Sequence, residues 1–358
     1  MILVLNCGSQ SIKWKLFGNS LKVKKEGKVD VFESKNYEKI LLGELAKVKK
    51  YEKEIKKVGH RVVHGGKRFL KTLIITKNNL KSLEKLNRLA PLHNPYNILG
   101  IKFSQSVFPK AKQIAVFDTE FFSNLPEKVY TYPLPERIRK KYNIKKFGFH
   151  GISHEYAARQ GAKIIGKDFN KLKIITCHLG GGASITAIDK GKAVDTSMGF
   201  TPMEGLVMMT RAGSIDPGII LKLESRIKNQ ELERILNYES GVKGICGLAD
   251  MRDVLKAIKK GSASQRKKAK LALNIFVYSI QKYIGAYFAV LGGCDLLIFT
   301  GAIGSGSAKI INMICKPLTI LKVVRSGYAA GVAGGNTKVL SIKADEELAI
   351  AHKIKEIL

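Results

Sequence analysis

With 358 residues and 45% hydrophobic content, the chain is long enough to bury a sizeable core and to divide into two domains, and its composition excludes a disordered polypeptide. The net charge is +33, yet the 62 basic residues (12 of them arginine) are scattered rather than gathered in a stripe with interleaved aromatics, which argues against a nucleic-acid module and leaves a general attraction for anions. Five cysteines without paired or metal-ligand spacing speak against a disulfide scaffold; the longest apolar runs are broken by Lys282, Gly292-Gly293 and Asp295, too early for a membrane span, and with no basic-then-apolar leader before Ile2 a cytoplasmic location is expected.

In chain order, Ile2 to Asn6 is a short apolar strand, CGSQS its turn, and Ile12 to Phe17 alternates as a half-buried strand. Lys35 to Lys57 predicts a helix, with apolar residues at Ile40, Leu41, Leu45, Val48 and Ile55. GHRVVHGG, Gly59 to Gly66, is a strand entering a glycine turn; its His60 and His64 lack a third ligand at useful spacing and read as structural. APLHNPYN, Ala90 to Asn97, is a proline-punctuated loop that enters a helix. AVFDTEFF is an apolar strand ending in Asp118 and Thr119. A carboxylate there needs a cation or hydrogen bonds, or else it caps the following turn. The first domain is expected to comprise residues 1–122 with 346–358 returning to it, and the second residues 123–345. KKFGFHGISHEY then leads into a helix expected from Glu155 to Gly166, opened by His154.

The stretch Thr176 to Gly218 holds the densest pattern. KIITCHL enters Gly180, Gly181 and Gly182, after which ASITAID alternates. A strand, a glycine turn and a second strand gather backbone N–H groups on a concave surface that suits phosphate, although most such turns are merely turns. The plan repeats that of Ile2 to Phe17, which indicates two related halves. A long loop follows with Arg211, a rigid donor fork for phosphate or carboxylate. Beyond Gly218 the pattern is helical to about Arg234. SGVKGICGLADMRD carries Asp250, for which a helix cap is the plain reading. Lys267 to Leu291 predicts a long helix with a stop at Gly292-Gly293. CDLLIFTGAIGSGS is strand and glycine turn, Lys338 to Lys343 a strand, and ADEELAIAHKIKEIL a helix whose first turn places Glu346 favourably for the helix dipole.

DTSMGFTPMEGL with TRAGSIDPG, together with HLGGGAS, GHRVVHGG, LHNP, FGFHGISH and DEELAIA, resemble in order the motifs of the acetate kinase family and its propionate kinase relatives. The resemblance covers nearly the whole chain and is weakest at Gly18 to Val58 and Lys309 to Lys338. It implies an α/β, duplicated two-domain sugar kinase–actin-like fold, with mixed sheets flanked by helices and a central cleft that closes over the substrates. It also implies reversible in-line phosphoryl transfer from ATP to acetate, giving acetyl phosphate and ADP, with Mg2+ or Mn2+, in a homodimer. By residue, it places Arg61 on the substrate carboxylate beside Val63, Leu92 and Pro202 of a small apolar pocket, with His93 at the site edge. Asp118, His150 and Arg211 are the catalytic group: His150 and Arg211 hold the transferring phosphoryl, and Asp118 organises the metal and orients the nucleophile. Asn6, through water, and Glu346 hold the metal. Ser9, Ser11, Lys13, His178, Leu179 and Gly180 to Gly182 line the phosphate path. Asp250, Met251 and Arg252 flank the adenosine, and Ala302, Ile303, Gly304, Ser305 and Gly306 form the second nucleotide turn.

This chain departs from the family pattern at several points. Gly181 replaces an asparagine, Phe147 a tyrosine, Gln10 a serine and Gly247 a serine, and Ser305-Gly306 stands where Glu-Asn is usual. Propionate or butyrate as acceptor and pyrophosphate as donor therefore remain open, and a basic nucleic-acid-binding protein without catalysis is the reading from a different class.

Overall fold

The apolar run at the start of the chain forms β1 (Ile2–Cys7), buried at every residue. Its side chains alternate between the two faces of a sheet: Leu3 and Leu5 join one core, Ile2 and Val4 another. The computed structural model describes residues 1–31, 36–91, 93–319, 323–324 and 337–357. Within it, β2 (Ser11–Phe17) runs antiparallel to β1, and β3 (Val23–Asp30) antiparallel to β2. The outer strand, VKKEGKVD, is largely exposed and lysine-rich, which protects a sheet edge from pairing with another chain. On the other side β4 (Lys57–Val62) lies parallel to β1. With β5 (Leu73–Ile74) and β6 (Lys112–Phe117) it completes the order β3-β2-β1-β4-β6-β5.

Helices cover both faces of this sheet. Tyr37–Ala46 sets Leu41 and Leu45 in the core that contains Trp14, whose indole N–H donates to Glu44 at 2.8 Å. The helix expected from Lys35 to Lys57 thus ends early. Only a 3-10 turn, Lys49–Tyr51, follows it, because Lys57 is already paired with Ile2 in the sheet; tertiary pairing overrides the local helical preference of the lysines. Lys35 itself lies outside the described residues. On the opposite face the last helix, Glu346–Ile357, packs so closely on β4 that a Cβ at Gly59 would stand 2.3 Å from Ile354 Cδ1.

A second sheet repeats the plan. Here β7 (Lys173–Leu179), β8 (Ala183–Asp189) and β9 (Lys192–Thr196) form an antiparallel meander, and β10 (Leu296–Thr300) lies parallel to β7. With β11 (Val323–Val324) and β12 (Thr337–Ser341) the order is β11-β12-β10-β7-β8-β9, the counterpart of the first in strand order, although the edge strand β11 runs parallel to β12 whereas β5 runs antiparallel to β6. The duplicated α/β architecture expected from the two glycine hairpins is therefore present.

The chain divides into two units. The first contains Met1–Ser123, Phe149–Tyr156 and Asp345–Leu358, and the second Asn124–Gly148 and Ala157–Ala344. Phe149–Tyr156 thus joins the first unit, whereas the sequence reading assigns it to the second domain. Helix boundaries differ as well. Gly151–Ile164 starts before His154, which lies inside the helix, buried, rather than at its opening. Pro217–Glu224 and Asn229–Arg234 are two helices where one was expected. The long helix runs Ala263–Leu291, extended backwards by a capping box of Ser262 with Gln265 and ended by Gly292 at φ +61°.

Candidate active site

In the first unit the ends of three neighbouring strands bring together side chains far apart in sequence. β1 supplies Asn6, β4 supplies Arg61 and the residue after β6 is Asp118. Arg61 Nη2 donates to Asp118 Oδ2 at 2.6 Å, and Nε reaches both carboxylate oxygens at 3.1 and 3.2 Å. Its Nη1 donates to Asn6 Oδ1 at 3.3 Å and lies 3.4 Å from Glu346 Oε2. The Asn6 amide nitrogen in turn donates to Glu346 at 3.0 Å and to Glu347 at 3.2 Å. Burial pushes the Asp118 carboxyl up; the Arg61 guanidinium opposes that shift, and Glu346 adds to it. Burial also works against the charge on Arg61, but Asp118 and Glu346 outweigh it and hold the guanidinium above its ordinary range. The geometry is that of a bidentate pair, the kind of partner a buried carboxylate requires.

Four of the expected residues, Asn6, Arg61, Asp118 and Glu346, are thus one hydrogen-bonded cluster. Two further details alter the picture drawn from sequence. Arg61 spends its fork on Asp118, and Asn6 acts as a strut whose oxygen faces Arg61 and whose nitrogen faces two glutamates. Glu347 was not anticipated, although the doubled acid of DEEL offered a signal; burial and the neighbouring Glu346 push its carboxyl up. Lys13 lies opposite Asn6 in the β1–β2 ladder, and Ser11 closes the intervening turn by accepting from Gly8 N at 2.9 Å.

Two buried asparagines, also missed, hold the strand ends in place. Asn97 donates to Cys7 O at 2.6 Å and accepts from Val63 N at 3.0 Å, so one amide spans the exits of β1 and β4. Asn94 accepts from His64 N and donates to His64 O. Asn94 is the asparagine of LHNP and Asn97 follows it, both on the helix Asn94–Val107, for which His93 is the N-cap residue. Val63 is buried; Leu92 lies outside the described residues. His150 adopts φ +60°, an uncommon conformation for a side chain with a Cβ. The next residue, Gly151, donates from its N–H to Asp118 O at 2.9 Å, where a Cβ would come within 2.3 Å of that oxygen. His150 is therefore tied to the segment of Asp118 by the backbone.

In the second unit β7 and β8 flank the glycine turn, closed by Gly180 N donating to Gly182 O at 2.9 Å. The Leu179 side chain is fully buried and His178 stands on β7 opposite Ser184. The other glycine turn lies alongside, because β10 pairs with β7 and a Cβ at Gly301, φ +80°, would stand 2.6 Å from Leu179 O. Gly301 opens the short turn of helix that carries Ala302, Ile303 and Gly304; Ser305 then bonds back to Gly301 O from both its N–H and its hydroxyl, each at 2.8 Å. Arg211 donates to Pro202 O at 3.2 Å and touches Met208 Sδ at 3.8 Å. Among the described residues no carboxylate pairs with it, and burial lowers its pKa, so it is a desolvated cation suited to an anion. The trio expected to flank the adenosine lies at the start of a helix. Asp250 is the N-cap of Met251–Lys260, accepting from Arg252 N at 2.7 Å, and its carboxylate also holds the Arg252 guanidinium at 2.6 Å. Met251 is packed inside, while the Arg252 side chain is 91% exposed. The helix cap, the plain alternative for Asp250, is what its geometry serves.

A family model described as the acetokinase family matches residues 38–352. Acetate kinase 2 of Clostridium perfringens is 41% identical over 399 residues, covering 100% of this chain and 99% of that protein. Among solved structures, the acetate kinase of Porphyromonas gingivalis is similar with a TM-score of 0.88 at 34% identity, covering 99% of each chain. A propionate kinase from Francisella tularensis has a TM-score of 0.88 at 36% identity, covering 98% of each.

Proposed function

The chain belongs to the acetokinase family, and from that premise we propose that it is an acetate kinase, a phosphotransferase with a carboxyl group as acceptor. The observation that carries the residue assignments is the Asn6–Arg61–Asp118–Glu346 cluster, in which residues up to 340 positions apart share one hydrogen-bond network. An acetate oxygen attacks the γ-phosphorus of ATP while the bond to the bridging oxygen of ADP breaks, giving acetyl phosphate. Acetate is ionised near neutral pH, so no base has to remove a proton. Asp118 therefore serves to fix Arg61 through Nε and Nη2, and the remaining Nη hydrogens of Arg61 to receive a carboxylate beside Val63. His150 and Arg211 stabilise the charge spread over the equatorial oxygens of the transferring group. The backbone amides of Gly180 to Gly182 and the turn Ala302 to Gly306 take the nucleotide phosphates, with Ser11, Lys13 and His178 completing the phosphate path.

The acidic pair at the start of the last helix fits a hard divalent cation. Glu346 and Glu347 crowd against one amide, offering oxygen donors and a repulsion that a cation relieves; Mg2+ characteristically takes one or two carboxylates and completes its shell with water and phosphate. Mg2+, or Mn2+, would be held by Glu346 with Asn6 at its edge, and would supply charge neutralisation at the phosphates. A homodimer and a cytoplasmic location belong to the same reading. Support for the first comes from apolar side chains left exposed on Pro217–Glu224 and Ala263–Leu291: Ile219, Leu221, Leu271 and Tyr278. Among the described residues no helix is long and apolar enough to cross a membrane.

The test is a hydroxamate assay for acyl phosphate, with acetate, propionate or butyrate as acceptor and ATP or pyrophosphate as donor. Acetyl phosphate from ATP is the expected product, and Arg211→Ala should lower turnover by about a thousandfold or more. Propionate should be used as well, since an apolar pocket distinguishes one methylene by only about 1–3 kcal/mol. Failure of every pair in folded protein overturns the reading.

A further inference from the structure

Lys353 is an ammonium group largely withdrawn from water, at 19% side-chain exposure, between two carboxylates that are equally withdrawn. Its Nζ stands 2.8 Å from Glu155 Oε2 and 3.3 Å from Glu120 Oε1, and those side chains are 14% and 17% exposed. Burial works against the charge on the amine, but Glu155 and Glu120 outweigh it and hold the pKa above its ordinary value. Glu120 is anchored again from the far side: its Oε2 accepts from Thr72 N at 3.1 Å and from the Thr72 hydroxyl at 2.7 Å.

The position of this trio in the chain is what gives it meaning. Glu120 lies two residues beyond Asp118, on the turn that follows β6. Glu155 lies five residues beyond His150, in the helix Gly151–Ile164. Lys353 lies seven residues beyond Glu346, two turns along the same helix and hence on the same face. One ammonium therefore joins the three segments that carry Asp118, His150 and Glu346. The strained φ of +60° at His150 is a second, independent sign that this segment is held from outside, since such a conformation persists only where the surroundings over-determine it.

We propose that Lys353 is a positioning residue for phosphoryl transfer, tying the Asp118 turn, the His150 helix and the Glu346 helix into one rigid body through its two partly buried ion pairs. It touches no substrate. Its contribution is to keep three groups in register where small displacements cost rate steeply. Neutralising it leaves two partly buried carboxylates without their shared counter-ion, and they repel; an arginine keeps the charge and the reach.

This inference rests on the kinase reading above, and the experiment separates the two. Steady-state acetyl phosphate formation is measured for the wild type, Lys353→Met, Lys353→Arg and Glu155→Gln, with circular dichroism to check folding. Lys353→Met is expected to lower kcat at least tenfold with KM for ATP within twofold of wild type, and Lys353→Arg to recover kcat to within about threefold. Wild-type kcat in folded Lys353→Met, or equal losses in the methionine and arginine variants, overturns the proposal. If Lys353→Met does not fold, Glu155→Gln decides: a kcat drop of threefold or more with unchanged KM for ATP supports it, and an unchanged kcat refutes it. An inactive wild type overturns the kinase reading and this inference together, whereas an active wild type beside an unaffected Lys353→Met overturns this inference alone.

Discussion

Two glycines that both replace larger family residues differ in what the surrounding structure asks of them. A Cβ built at Gly181 meets no atom within 4 Å, so nothing in the fold demands glycine there. At Gly306 a Cβ would stand 2.3 Å from Ala302 O, a backbone atom that cannot swing aside. Restoring asparagine should therefore separate the two sites. Gly181→Asn is expected to leave stability within about 0.5 kcal/mol, as for an ordinary surface change, and to lower KM for ATP by up to about fivefold if its amide reaches a phosphate. Gly306→Asn should cost about 1–3 kcal/mol through the overpacking it forces. Thermal unfolding of the two variants measures the first difference, and nucleotide titration of Gly181→Asn the second. A large loss of stability in Gly181→Asn, or none in Gly306→Asn, would contradict this account.

Among the elements, β4 shows how a strand can position a site and carry a pH-sensitive group at once. Arg61 points into the polar cluster, while the preceding residue, His60, points to the opposite face by the period of two. There His60 is buried and shares a 2.8 Å hydrogen bond with Gln113 of β6, itself held by Ser104 and backbone carbonyls. Burial, only partly opposed by Gln113, pushes the imidazole down to about 4. A histidine whose folded-state value lies below the ordinary 6.5 takes up its proton more readily when unfolded. The neutral ring therefore supports the fold fully above pH 6.5, and that support is lost as pH falls towards 4, by about 3 kcal/mol in all. His60→Gln should flatten this part of the acid profile, whatever constant offset the substitution brings. Melting temperatures of the two proteins from pH 7 to 4 provide the check, and parallel curves would refute it. The sequence could not disclose this role, since it marks His60 only as lacking a third ligand; the Gln113 partner comes from pairing across 53 residues. Asn6, Arg61 and Asp118 were legible because each sits at the end of an apolar strand, where a polar side chain is conspicuous. Their supports were not: Asn97, Glu347 and Lys353 look like ordinary loop or helix residues until the fold sets them against Cys7, Asn6 and Glu155.

For the whole molecule, the duplication was readable as two strand–glycine–strand hairpins, and the identical strand order of the sheets follows from it. What pattern alone does not reveal is where a charge of +33 acts. Among the described residues the ion-paired lysines fall into two populations. Lys15, Lys146 and Lys353 are all below a fifth exposed, and each has a carboxylate partner; Arg61 is likewise engaged by Asp118. Lysines such as Lys28, Lys102 and Lys140 are more than half exposed even where they form an ion pair, and a surface pair contributes little. The net field therefore comes from solvated lysines, which salt screens, whereas the interior pairs that fix the site are screened much less. A polyanionic donor should feel the first and the chemical step only the second. Raising ionic strength from about 0.05 to about 0.5 M shortens the screening length from more than 10 Å to less than 5 Å. Over that range kcat/KM for ATP is expected to fall several-fold, while kcat stays within about twofold. Initial rates against ATP at fixed magnesium and a saturating acceptor distinguish the two terms. A kcat that falls in step with kcat/KM would mean that salt reaches the buried ion pairs; a flat kcat/KM would mean that the excess lysines are arranged without regard to the nucleotide.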